Sequence, residues 1–94
     1  MSILAILDLT LRPESTSEAL AVLDDVLVAT RGFTGNLGVE VIVQTDDPAH
    51  VLVLERWESM EADTAYRAWR ASEGRSALAP YVLGLSVTHF DPRG

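Results

Sequence analysis

The chain of 94 residues is long enough for one domain, which we place at residues 1–94. Its hydrophobic fraction of 48% exceeds what the core of so small a domain needs, and this excess favours a subunit interface. Its formal net charge of −7, from 14 acidic and seven basic residues, argues against nucleic acids and anionic membranes as partners. The absence of cysteine excludes disulfides and thiolate sites, and the absence of lysine excludes Schiff-base catalysis.

The first third of the sequence predicts a strand followed by an amphipathic helix. Residues 3–11 are mostly aliphatic and are predicted to form the first strand. Pro13 stops this strand and suits the opening of a helix that continues to Arg31. The residues expected on its inward face recur at helical spacing: Ala19, Leu20, Val22, Leu23, Val26, Leu27 and Thr30. A loop with two glycines at 32–36 then turns the chain back.

The middle of the sequence predicts a β-hairpin. Residues 37–44 and 51–57 are rich in β-branched and aliphatic side chains, which favour strands. The polar residues 45–50 between them favour a turn. Because this turn is short, we expect the two strands to pair antiparallel.

A second helix is predicted directly after the hairpin, at about Met60–Ala71. Ser59 is placed to cap it, and acidic residues occupy its first turns, where the helix dipole favours anions. One face is predicted to turn inward, with Arg67 and Arg70 pointing sideways or outward. That inward face consists of Ala62, Ala65, Tyr66 and Trp69. Residues 72–80 favour a further short helical turn, residues 83–90 a last strand and residues 91–94 a tail.

The order of these elements, β-α-β-β-α-β, predicts an α+β ferredoxin-like sandwich with a four-stranded antiparallel sheet. The strands at 3–7, 41–43 and 51–54 are apolar without alternation, which indicates that both faces of the sheet are buried. Two helices can cover only one face. We therefore expect a homodimer joined sheet to sheet.

The sequence contains no signal for membrane insertion or secretion. Its apolar runs are far shorter than the ~20 residues of a membrane-spanning helix. The N-terminus lacks the basic segment and the cleavage site of a secretory signal. We therefore expect a cytoplasmic protein.

Two motifs resemble the antibiotic biosynthesis monooxygenase family of the dimeric α/β-barrel superfamily. They are the Gly-x-Leu-Gly-x-Glu-Val sequence at 35–41 and the Glu-Arg-Trp-Glu-Ser sequence at 55–59. Each motif alone is weakly specific, but together, at this spacing, they are fairly specific. The resemblance covers nearly the whole chain and implies a dimeric barrel of ferredoxin-like subunits, in agreement with the strand patterns.

The resemblance implies several activities, because the family includes different chemistries. Some members oxygenate phenolic or hydroquinone-type polyketides with O₂ and without flavin, metal or haem. Such an enzyme must deprotonate its substrate, stabilise the oxyanion and exclude water. This function, on a small aromatic substrate, is our first hypothesis. The alternative is a non-oxidative cyclase or isomerase, or a dimer that binds a small molecule without chemistry.

Three aromatic residues are candidates for the site. Trp57 matches the tryptophan that lines the cavity in such enzymes, and because a buried indole N–H needs a partner we expect a polar ligand or a carbonyl near it. Family members often carry a histidine nine residues later, where this chain has Tyr66, whose hydroxyl is a possible substrate ligand. Trp69 lies one turn further on. The three rings would form either a slot for a planar substrate or part of the core.

Polar candidates complete the set. His89, which we place on one strand face with Leu83, Leu85 and Val87, is either a general base or a strand-end histidine at the sheet edge or the dimer interface. Asn36 and Arg70 are the candidate polar substrate-binding residues.

We expect Arg67, Arg70 and Arg75 to be solvated, although an arginine that turned inward would suit a phenolate or carboxylate. Glu55 shares the strand face of Trp57, so we expect it to be partly buried beside an arginine.

No metal or haem site is predicted. His50 is expected at the surface, and the two histidines have no nearby ligand cluster. Other members of the resembled family cleave haem, and they use a helix histidine and a first-strand asparagine. This chain has neither, since its only asparagine is Asn36, in the predicted loop after the first helix.

Overall fold

Four strands and two α-helices follow one another in residues 2–93, which the computed structural model describes. They are β1 (Ile3–Leu11), α1 (Thr16–Arg31), β2 (Asn36–Gln44), β3 (Asp47–Trp57), α2 (Met60–Ala71) and β4 (Val82–Phe90). Short 3₁₀ turns precede α1 at Pro13–Ser15 and β4 at Ala79–Tyr81. The predicted α+β ferredoxin-like fold is confirmed. Met1 and Gly94, the last residue of the predicted tail, lie outside the described residues.

The strands form one antiparallel sheet in the order β2-β3-β1-β4. Odd-numbered residues of β1 and β3 turn toward the helices, so these two central strands supply the floor of the core. The register aligns Val39, Glu55, Ala5 and His89 in one row across the sheet. This row places Glu55 and His89 on the same face, two strands apart.

The turn between β2 and β3 is shorter than predicted. It contains only Thr45 and Asp46, because β3 begins at Asp47 rather than at Val51. The polar character of residues 45–50 favoured a turn, and Pro48 among them cannot donate to a sheet ladder. The pairing of β1 with β3 starts only at His50, so Pro48 lies beyond the doubly paired part of the strand and its missing N–H costs nothing there.

The inward face of α1 is confirmed, and that of α2 is confirmed in part. Residues Ala19, Leu23, Leu27 and Thr30 of α1 are buried. In α2 the Ser59 hydroxyl accepts a hydrogen bond from the Ala62 N–H at 3.1 Å, as predicted for a cap. Ala65, however, is exposed, and the charged Asp63 is buried with Tyr66. Compared with the prediction, the face of α2 that packs on the sheet therefore includes Asp63, which pairs with His89 of β4, and leaves out Ala65.

No element of residues 2–93 covers the opposite face of the sheet. Ile42 and Phe90 are 43% and 48% exposed there, and Ile6, Leu52 and Leu54 are half-buried. Neither helix in residues 2–93 has the length and apolar character of a membrane span.

Candidate active site

A cavity of about 400 Å³ lies between the sheet and the two helices. Eleven of its sixteen lining residues are aliphatic, and they come from β1, α1, β3, β4 and the segment after α2. Leu85 and Val87 of β4 are 60% and 38% exposed, so the cavity is accessible along this strand. Its volume falls in the range of ~300–1,000 Å³ that is usual for small-molecule sites.

The cavity has one polar end, formed by Glu55, Tyr66, Arg67 and Arg70. Glu55 comes from β3, and the other three come from consecutive turns of α2. Residues three and four positions apart on a helix are neighbours on its surface, so Tyr66 and Arg67 each lie beside Arg70, and one helix supplies most of this end. Ser76, from the segment after α2, is the other polar residue of the lining, so a bound molecule would meet the charged groups at this end and mostly aliphatic side chains elsewhere.

Arg70 turns inward, and the expectation that it is solvated is wrong. Its Nε donates to the Tyr66 hydroxyl at 2.6 Å, and its Nη2 donates to the Val26 carbonyl at 2.8 Å and to Thr30 Oγ1 at 3.2 Å. Its Nη1 donates to the Gly74 carbonyl at 2.9 Å. The last turns of α1 thus present acceptors that hold the guanidinium over the site. Arg75, by contrast, is exposed as predicted.

Glu55 is only 1% exposed and is anchored through one of its two oxygens. Its Oε1 accepts a hydrogen bond from Trp57 Nε1 at 3.2 Å and one from Arg67 Nη2 at 2.5 Å. The prediction that Glu55 is buried beside an arginine is confirmed, whereas the acceptor for the Trp57 indole is this carboxylate rather than a ligand or a carbonyl. Arg67, which we expected in water, is drawn inward by this carboxylate.

A second buried carboxylate extends the network to β4. Asp63 is 2% exposed, its Oδ1 lies 3.0 Å from Arg67 Nη2, and its Oδ2 lies 2.8 Å from His89 Nε2. Asp63 is not among the residues predicted for the site, because an aspartate in the first turn of a helix is usually a solvated dipole partner. The available signal was the i, i+4 spacing of Asp63 and Arg67.

His89 lies outside the cavity lining but next to it. On β4 it follows the lining residues Leu85 and Val87 at alternate positions, so these three share a face as predicted. Leu83 does not line the cavity, because the register between β1 and β4 shifts at Thr10 and Leu11 and Val82 takes the inward position.

The aromatic residues pack against one another and leave no slot between them. The centroid of the Tyr66 ring lies 4.9 Å from that of Trp57, 5.2 Å from that of Phe33 and 6.1 Å from that of Trp69. Trp57 has no exposed surface, and of these rings only Tyr66 lines the cavity. The predicted slot is therefore closed, because Phe33 from the α1–β2 loop packs against the other three rings.

Asn36 lies apart from the cavity. It pairs with Trp57 at the start of β2, and its buried Nδ2 has no hydrogen-bond partner in residues 2–93. Within the same residues, no group of three histidine, aspartate or glutamate side chains is arranged to hold a metal ion.

Comparison with known proteins gives a family match and many similar folds. The family model for antibiotic biosynthesis monooxygenase matches residues 2–80. Rv0793 from Mycobacterium tuberculosis is 21% identical, with 100% of this chain and 97% of that chain covered and a TM-score of 0.80. A structure described as an antibiotic biosynthesis monooxygenase is 21% identical, with 98% and 99% covered and a TM-score of 0.81. A Deinococcus radiodurans protein is 22% identical, with 98% and 93% covered and a TM-score of 0.83. No curated protein matches the chain significantly.

Proposed function

The chain belongs to the antibiotic biosynthesis monooxygenase family, and we therefore propose that it oxidises a phenolic or hydroquinone-type small molecule, such as an aromatic polyketide, with O₂ and without a cofactor. The observation that carries this proposal is the aliphatic cavity with a single polar end. Chemistry of this kind needs a dry space around a reactive anion and fixed charges where the anion forms.

The polar end is suited to an oxyanion. In the proposed reaction the substrate loses a proton, and the resulting anion gives electrons to O₂. One oxygen atom enters the substrate, and the other leaves as water with two hydrogens from the substrate. Arg67 and Arg70 place positive charge at the end of the cavity where the anion would lie, and most of the remaining lining is aliphatic.

The candidate residues take different positions in this scheme. Tyr66 and Arg70 line the cavity and are the proposed substrate contacts. Trp57 acts through its hydrogen bond to Glu55, and His89 acts through Asp63 and Arg67. Trp69 and Asn36 do not line the cavity, and we propose only that Trp69 supports Tyr66 by ring packing.

Oxygen uptake tests this function. We expect purified, metal-stripped protein to consume O₂ with an anthrone or a naphthol in the absence of nicotinamide and flavin. Tyr66→Phe should lower the rate about tenfold or more, because Arg70 loses the hydroxyl that it holds. Tyr81→Phe is the matched control, since the Tyr81 hydroxyl makes no hydrogen bond in residues 2–93. Equal loss in both variants would contradict a specific role for Tyr66.

A non-oxidative cyclase or isomerase is the second candidate. It is favoured by the acid–base groups themselves, because Glu55 and the Asp63–His89 pair can move protons without O₂. Substrate turnover without oxygen uptake would select this alternative.

We also propose a homodimer joined through the uncovered face of the sheet. The apolar side chains on that face, Ile6, Ile42, Leu52, Leu54 and Phe90, support this proposal, because monomeric proteins rarely leave so many neighbouring apolar groups in water. Asp8 lies on the same face, in register with Leu52, and its Oδ1 is paired with His50 Nε2 at 2.8 Å.

Light scattering tests the dimer. We expect a solution mass of about twice 10.2 kDa for the wild type, and the mass of one chain for Leu52→Glu, which buries a charge in the proposed interface. Val28→Glu is the control, because Val28 is 69% exposed on α1 and lies away from that face. A monomeric wild type would overturn the proposal.

A further inference from the structure

We propose that Glu55 is the general base of the site, and that it takes a proton from a neutral, hydrophobic substrate carrying a phenolic or enolic hydroxyl or an activated methylene group. This inference deepens the proposed function and rests on it only for what happens to the substrate after deprotonation. It places the base at Glu55 rather than at His89, which the sequence left open as either a general base or a structural histidine at the strand end.

The proposal rests on the difference in hydrogen bonding between the two carboxylate oxygens of Glu55. Oε1 accepts both hydrogen bonds, from Trp57 Nε1 and from Arg67 Nη2. The hydrogen bonds of the Glu55 side chain in residues 2–93 both go to Oε1, and none goes to Oε2. Glu55 lines the cavity, so Oε2 is the carboxylate oxygen left to accept a proton from a molecule bound there.

This arrangement fixes the carboxylate for proton abstraction. Two donors on one oxygen hold the group in one orientation, and the free oxygen keeps its lone pairs for an incoming proton. A buried carboxylate that served only as an anchor would be expected to have both oxygens paired, because an unpaired buried polar atom costs stability.

Charge balance at the polar end selects the kind of substrate. Glu55 and Asp63 carry two negative charges, and Arg67 and Arg70 carry two positive charges, so these four groups are neutral together. His89 faces Asp63 from β4 and is the remaining titratable group of the network. A carboxylate ligand would bring an uncompensated charge into an aliphatic cavity, which is costly. A neutral O–H or C–H acid adds none.

The proton transfer leaves the total charge unchanged. The O–H or C–H bond of the substrate breaks, its electron pair stays on the substrate, and the proton forms a new O–H bond with Glu55 Oε2. The negative charge thereby moves from Glu55 to the substrate. Arg67, which also lines the cavity, then no longer faces a charged Glu55. Its positive charge can stabilise the new anion of the substrate instead.

The position of His89 explains why it is not assigned this role. Its Nε2 is bonded to Asp63 at 2.8 Å, and the residue is not part of the cavity lining. We assign His89 and Asp63 to holding Arg67, and hence Glu55, in place.

Deuterium exchange without oxygen tests the base directly. Anthrone deuterated at its methylene carbon is incubated with the protein under anaerobic conditions, and loss of deuterium to water is followed by mass spectrometry. We expect the wild type to accelerate exchange over buffer, and Glu55→Gln to reduce this acceleration by about 100-fold or more. Glu61→Gln, a matched change at an exposed position of α2, should exchange like the wild type.

A second variant separates a catalytic role from a structural one. Glu55→Gln keeps an acceptor for Trp57 and Arg67 but has no base, whereas Glu55→Asp keeps the base on a shorter side chain. A base predicts that the aspartate variant recovers part of the exchange even if its thermal unfolding temperature is lower. A merely structural Glu55 predicts the reverse order, with exchange following stability.

Oxygen uptake measured in parallel keeps the two proposals apart. Exchange without uptake in the wild type would support Glu55 as the base and reject the oxygenase. Uptake that persists unchanged in folded Glu55→Gln would reject the base and leave the oxygenase. A wild type that does not accelerate exchange, or a folded Glu55→Gln that exchanges as fast as the wild type, overturns the assignment of Glu55.

Discussion

Arg67→Met should destabilise the fold by about 3 kcal/mol, because it leaves two buried carboxylates without their shared cation. Glu55 and Asp63 are 1% and 2% exposed, and Arg67 Nη2 lies within 3.0 Å of both. Methionine retains much of the aliphatic volume of arginine, so the loss reports mainly on charge. Urea unfolding followed by circular dichroism measures the effect, with the m-value checked for two-state behaviour.

Repeating Arg67→Met in a chain that lacks the two buried carboxylates distinguishes the contribution of charge to stability from that of packing. In a Glu55→Gln and Asp63→Asn chain, the same Arg67→Met change should cost only about 1 kcal/mol, because no buried anion remains to be compensated. Arg75→Met is the surface control and should stay within about 0.5 kcal/mol of the wild type. An equal cost of Arg67→Met in both backgrounds would show that Arg67 stabilises the fold by packing alone.

The elements of the fold were predictable because their signals are local. The bounds of α2 follow from Ser59, whose hydroxyl caps the helix, and from the helical spacing after it. The burial of Glu55 followed from alternation, since it shares a strand face with Trp57. These inferences need only neighbouring residues, and for that reason the structure agrees with them.

The site was less predictable because its contacts join distant parts of the chain. Asp63 is buried by His89, which lies 26 positions later on another strand. Arg70 turns inward because Val26 and Thr30 of α1 offer it acceptors. A helical pattern places these residues on a face, but it does not contain the partner that decides whether a charged side chain is buried. The cavity likewise depends on how β4 and the segment after α2 meet α1.

Trp57→Ala should destabilise the protein by about 3–5 kcal/mol, through the lost burial of a large ring and the cavity that remains. Trp57 has no exposed surface and contacts Tyr66 at a ring-centroid distance of 4.9 Å. Because a small domain has only about 5–15 kcal/mol of total stability, the alanine variant should unfold at a much lower urea concentration.

Trp57→Phe separates the packing of the Trp57 ring from the hydrogen bond that its indole N–H donates to Glu55. Phenylalanine keeps a ring among Phe33, Tyr66 and Trp69 but cannot donate to Glu55 Oε1, so we expect a loss of about 1–3 kcal/mol, smaller than for alanine. If the indole N–H positions Glu55, deuterium exchange should also slow in the folded variant. If exchange is unchanged, Trp57 is a core residue, and Arg67 alone suffices to orient the carboxylate. The two measurements are independent, since one reports the free energy of unfolding and the other the orientation of a single oxygen atom.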